Sequence, residues 1–143
     1  MAMTIYNGAC LCGEVQFEYQ SPSLWCAHCH CSLCQRAHGA PVVTWVGAAQ
    51  QRFSLVADST LRWYHSSPDS ERGFCSACGS TLFFRSERWP GEIHLARTNI
   101  DGDIDLAPSV HVHCESQAHW FEFDDSLPHQ SSRVSDAAGP ITR

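Results

Sequence analysis

Seven of the nine cysteines in this chain fall into three short clusters: Cys10-x-Cys12, Cys29-x-Cys31-x-x-Cys34 and Cys75-x-x-Cys78. Four thiolates close a tetrahedral zinc site, and three leave a zinc ion with one open position. Two, three and two cysteines therefore allow one closed site and one open site. The odd total of nine suits a disulfide framework poorly.

Cys75-Ser76-Ala77-Cys78-Gly79 has the spacing of a zinc knuckle, in which backbone N–H groups of the turn face the sulfurs. Gly79 supplies the positive φ that such a turn needs after its second ligand. Cys10-Leu11-Cys12-Gly13 is too tight for a relaxed disulfide, but both sulfurs can reach one ion. Its matching Cys-Gly ending makes it the natural partner of the later knuckle. Cys10, Cys12, Cys75 and Cys78 are thus the expected closed site. A metal there would clamp the N-terminal strand to the middle of the chain and contribute directly to folding.

Cys29, Cys31 and Cys34 supply three ligands without a local fourth. A zinc ion on three thiolates carries a net charge of about −1. That charge suits it less to making hydroxide from water than to binding another soft ligand, a thiol, as thiolate. Catalysis is expected at this second zinc. Cys26, Cys114, His28, His30, His38, His111 or His113 could instead close the site and make it structural. Cys26 and Cys114 read as small buried hydrophobes. His111 and His113 share one face of an expected strand. His30 and His38, beside the open-site loop, are the nearest functional histidines.

The rest of the chain predicts a mainly β fold with one short helical turn. Val15, Phe17 and Tyr19 alternate with Glu14, Gln16, Glu18 and Gln20, the pattern of a half-buried strand. Asn7-Gly8 before it reads as a turn. Short runs at Pro41–Val46, Phe53–Val56, Leu61–Tyr64, Thr81–Phe84, Ile93–Ala96 and Val110–His113 read as further strands. Ser32 to Gly39 offers a serine cap and a glycine stop for the helix. Trp120 reads as core. A single domain over residues 1–129 and a frayed tail over 130–143 are expected.

The formal net charge is −6. Seven thiolates and two zinc ions would take it to −9, since each thiolate subtracts one charge and each zinc adds two. The nine basic residues are all arginines and form no stripe, so a phosphate-based nucleic-acid partner is disfavoured. Met1–Gly8 lacks a positive segment followed by an apolar run, and no stretch reaches membrane-spanning length. A cytoplasmic protein with neither nucleic-acid nor membrane partner is the expectation.

Three motifs in order carry a family resemblance: Gly8-x-Cys10-x-Cys12-Gly13-x-Val15, then Cys29-His30-Cys31-Ser32-x-Cys34-Gln35-Arg36, then Phe74-Cys75-x-x-Cys78-Gly79-Ser80. Together with Val110-His111-Val112 through Ser116 and Trp120, they resemble the glutathione-dependent formaldehyde-activating enzyme family, which includes centromere protein V-like domains. The resemblance spans residues 4–129. It implies a β-tent of small antiparallel sheets clamped by zinc, with two zinc ions per chain. One would sit on Cys10, Cys12, Cys75 and Cys78, the other on Cys29, Cys31 and Cys34. It further implies a carbon–sulfur lyase that joins glutathione to formaldehyde, giving S-hydroxymethylglutathione; another small thiol and a small aldehyde are the wider expectation. Arg36 or Arg97 would pair with the substrate carboxylate, and His30 or His38 would move the proton. The alternative is a non-catalytic zinc module or a glutathione carrier.

Overall fold

The structure is a computed structural model that describes residues 2–132, so residues 133–143 of the expected tail lie outside the described residues. Its elements are strands β1 (Ile5–Ala9), β2 (Gln16–Gln20) and β3 (Trp25–Cys29), helix α1 (Ser32–His38), and strands β4 (Val43–Ala49), β5 (Phe53–Ala57), β6 (Leu61–Ser67), β7 (Ser70–Cys75), β8 (Thr81–Ser86), β9 (Glu92–Ala96) and β10 (His111–Val112). They form a three-stranded sheet in the order β1-β2-β5 and a seven-stranded sheet in the order β10-β3-β4-β9-β8-β7-β6. The fold is mainly β, as expected. Pairing is antiparallel except between β3 and β10, which run parallel.

Strand β2 begins at Gln16, after the expected Glu14 and Val15, but within it the alternation holds: Phe17 and Tyr19 are buried and Gln16 and Gln20 exposed. The expected Asn7-Gly8 turn is instead the middle of β1, with Gly8 paired to Phe17. Glycine is required there by close approach. A Cβ at Gly8 would lie 2.2 Å from Phe17 Cζ and 2.5 Å from the Asn99 carbonyl oxygen.

The central strands of the large sheet are buried on both faces, so they read as apolar runs rather than alternating ones, whereas the β6 edge is largely exposed. One face packs Cys26, Val46, Phe83 and Leu95 against Phe17 and Tyr19 of the small sheet. The other packs Ala27, Trp45, Phe84 and Val112 against Cys29, Cys31 and Cys34. Neighbours in sequence, such as Val46 and Trp45, thus belong to different cores.

Helix α1 follows β3 directly. Cys31, not the expected Ser32, is the residue before its first turn. The expected stop holds: Gly39 takes φ 61° and donates its N–H to the Gln35 carbonyl. Trp120 is not core but 69% exposed. No helix among the described residues is long and apolar enough to cross a membrane.

Candidate metal centre and adjoining cavity

The outer cysteine clusters meet. One sulfur from each of Cys10, Cys12, Cys75 and Cys78 lies within 4.8 Å of the other three. Cys10 Sγ is 3.6 Å from Cys12 Sγ, which is 3.8 Å from Cys75 Sγ. A tetrahedron with zinc–sulfur bonds of about 2.3 Å has edges of about 3.8 Å. A disulfide would need about 2.05 Å. The donor set and its spacing therefore fit a four-thiolate metal site.

The two knuckles are built alike. Gly13 donates its N–H to the Cys10 carbonyl at 3.1 Å, and Gly79 to the Cys75 carbonyl at 2.8 Å. Their φ values are 83° and 81°, the left-handed backbone that both Cys-Gly endings imply. Ser80 Oγ accepts the Leu11 N–H at 2.9 Å and so joins one knuckle to the other. The surroundings favour thiolates at Cys75 and Cys78 but not at Cys12, where, against the Glu14 backbone hydrogen bond, burial and the neighbouring sulfurs push the thiol up to about 12. Val15 donates its N–H to Cys10 Sγ at 3.3 Å. Thr60 Oγ1, 3.3 Å from Cys75 Sγ, lowers that thiol's pKa. The Ser80 hydroxyl, with the Ser80 backbone, brings Cys78 down to about 5.

The middle cluster also converges, on the opposite core. Cys29 ends β3, Cys31 precedes α1, and Cys34 lies three residues into the helix, so one turn gathers the three sulfurs. Cys29 and Cys34 Sγ are 3.7 Å apart, again close to a tetrahedral edge. Hydrogen bonds from the Cys29 and Cys34 thiols hold Cys31 far below the ordinary thiol value. Burial pushes Cys29 well above it.

Arg72, on a strand that the sequence reading missed, supports this cluster. Its side chain is buried, stacks on the Phe84 ring at 5.1 Å, and reaches Cys34 Sγ. No local motif marks it.

Cys31 lines a cavity of about 240 Å³ together with Ser32, Arg88, His113, Glu115 and Ser132. His113 adopts φ 56° and ψ 39°, an uncommon backbone conformation for a histidine, just beyond the end of β10. Its Nδ1 is 2.7 Å from Ser132 Oγ, which also bonds Glu115. A larger cavity of about 550 Å³, bordered by His65, Glu71, Arg85 and Trp89, contains no cysteine.

The remaining candidates sit elsewhere. Cys26 is in the core shared with the small sheet, on the face of β3 opposite Cys29. Arg97 donates to the Ile100 and Gly102 carbonyls. Arg36 borders a separate cavity with Trp120. His38 packs edge-on against Trp45 at 5.2 Å. His30 is fully buried, with Nε2 2.8 Å from His111 Nδ1. His111 and His113 do not share a strand face, because the chain turns after Val112.

A family model described as glutathione-dependent formaldehyde-activating enzyme matches residues 5–116. A Halomonas elongata protein named for the same activity is 31% identical over 129 residues, covering 84% of this chain and 82% of its own length. An uncharacterized lyase of Schizosaccharomyces pombe is 33% identical over 84 residues, covering 57% of this chain and 58% of its own. A crystal structure of a Rhodobacter sphaeroides protein superposes with a TM-score of 0.58 at 23% identity. It covers 69% of this chain and 91% of its own, a likeness of fold.

Proposed function

The chain belongs to the glutathione-dependent formaldehyde-activating enzyme family, and on that premise we propose that it is a zinc-dependent carbon–sulfur lyase or adduct-forming enzyme. Its substrates are a glutathione-type thiol and a small aldehyde such as formaldehyde. The observation that carries this reading is that Cys31, one of three converging cysteines, opens onto a polar cavity of about 240 Å³.

Cys10, Cys12, Cys75 and Cys78 hold the structural zinc in this reading, and Cys29, Cys31 and Cys34 hold the second. Zinc on three thiolates would supply a soft Lewis acid that lowers the pKa of an entering thiol. The protein's own groups do the rest. Arg72 offsets the negative charge of the cysteines from inside the core. Arg88, at the cavity wall, offers a guanidinium to a substrate carboxylate. The substrate sulfur adds to the aldehyde carbon, the carbonyl π electrons move to oxygen, and the thiol proton ends on that oxygen. His113, oriented by Ser132, is placed to carry that proton. In reverse, the same groups break the carbon–sulfur bond. Nine cysteines without a disulfide suit a reducing, cytoplasmic compartment.

Proton exchange spectroscopy of glutathione and formaldehyde tests the reading. The protein is expected to accelerate adduct exchange, and Cys31→Ser to abolish the acceleration. Glutathione binding without acceleration would favour the carrier, and acceleration that survives Cys31→Ser would overturn the mechanism.

A further inference from the structure

On the face of β3 away from the middle cysteines, histidines from three chain segments line up. Parallel pairing sets His111 beside His28, and an isolated bridge sets His129 beside His111. Ring centroids step by 4.9 Å from His28 to His111 and by 4.4 Å from His111 to His129. Asp125 reaches into this row, with Oδ1 and Oδ2 3.1 and 2.9 Å from His111 Nε2. One ligand atom from each of His28, His111 and Asp125 lies within 4.8 Å of the other two.

We propose that His28, His111 and Asp125 form a third metal site, separate from the cysteines and suited to a divalent first-row transition cation. Two imidazoles and one carboxylate are a borderline donor set, favouring zinc, cobalt, nickel or iron(II) over calcium or magnesium. The surrounding groups fit. Histidine ligands characteristically engage their second ring nitrogen with a protein partner, which fixes tautomer and orientation. Here His28 Nδ1 is 2.8 Å from Thr44 Oγ1, and His111 Nδ1 is 2.8 Å from His30 Nε2. Each ring therefore keeps Nε2 for a cation. A hydrogen bond between His111 and Asp125 alone would leave His28 and its Thr44 support without a part.

The site also has an entry and a wall. The Asp125 side chain is 34% exposed, whereas His111 is fully buried, so an ion can arrive from the carboxylate side. The Phe123 ring, 4.8 Å from His111, closes another side with apolar surface, where electrostatic attraction is less screened. A cation there would tie β10 and the Asp125 segment to β3. The site contains no cysteine, so it stands or falls independently of the thiol chemistry.

Cobalt(II) titration of the protein with its cysteine-bound metal retained is the test. One further equivalent is expected, with weak visible bands and no intense thiolate-to-cobalt charge transfer. Ring protons of His28 and His111 should show paramagnetic shifts. Asp125→Asn preserves the acceptor for the Leu127 N–H, and His28→Gln removes a partly exposed donor. Each is expected to weaken cobalt binding at least tenfold. No further equivalent, unshifted histidine signals, charge-transfer bands alone, or unchanged affinity in both variants would overturn the proposal.

Discussion

Arg72 directs both terminal guanidinium nitrogens at Cys34 Sγ, at 3.6 and 3.5 Å, across 38 residues of sequence. Arginine cannot shed its charge, so burying it, at 4% exposure, demands an anionic partner. In the proposed second site, three thiolates around a divalent cation would retain about one negative charge, which this guanidinium would offset.

Arg72→Met keeps an unbranched side chain over Phe84 while deleting the charge and the donors. If Cys29, Cys31 and Cys34 hold the proposed second zinc, affinity for it should fall about 10–100-fold, as on loss of other groups that support metal ligands. Zinc release to a chromophoric chelator should separate into two phases, with only one accelerated. Equal acceleration of both would mean that Arg72 supports the fold at large rather than this cluster.

Cys12 is exposed, so replacing it with serine in a metal-free turn should change stability by no more than about 0.5 kcal/mol. As a zinc ligand joining residues 10–12 to 75–78, it should instead cost several kcal/mol. Urea unfolding distinguishes the two outcomes. Cys31→Ser, at the cavity, should lose the second zinc and remain folded.

Burial, then the nearby charge of Arg72, lowers the His38 pKa to about 4. A histidine depressed below its unfolded value near 6.5 stays neutral in the native state. Its contribution is fully present above pH 6.5 and is lost as pH falls toward 4. Stability measured across that window should fall with a slope reflecting uptake of about one proton at this position on unfolding. His38→Leu should remove that part of the slope. An unchanged profile would place the acid sensitivity elsewhere.

Gly8→Ala should destabilise the protein by roughly 1–3 kcal/mol, because the added methyl collides with both Phe17 and a backbone carbonyl. Thermal unfolding checks it. A neutral effect would return Asn7-Gly8 to an accommodating turn.

What the sequence made legible was local. Phe17 and Tyr19 declared their strand by alternation, and Gly13 and Gly79 declared left-handed turns by following cysteines. The pairing of Cys10 and Cys12 with Cys75 and Cys78 followed from that symmetry. The rest depended on tertiary structure. Strand β3, Trp-Cys-Ala-His-Cys, reads as a ligand motif because both its faces are buried for different reasons. Strand β7 begins Ser-Glu-Arg-Gly, polar enough to hide a strand whose arginine points into the core. His113 and Arg88 meet at the cavity only through the fold. The row of His28, His111 and His129 exists only in the register between β3, β10 and the bridging residue.

Strand β3 divides two chemistries by parity. Even positions Cys26 and His28 face one side, and odd positions Ala27 and Cys29 the other. Substitutions within it alter one side at a time. Inserting or deleting a single residue would exchange the sides beyond that point, turning a thiol toward the histidines and an imidazole toward the thiols. The segment thus behaves like a reading frame: it tolerates changes of letter far better than changes of count.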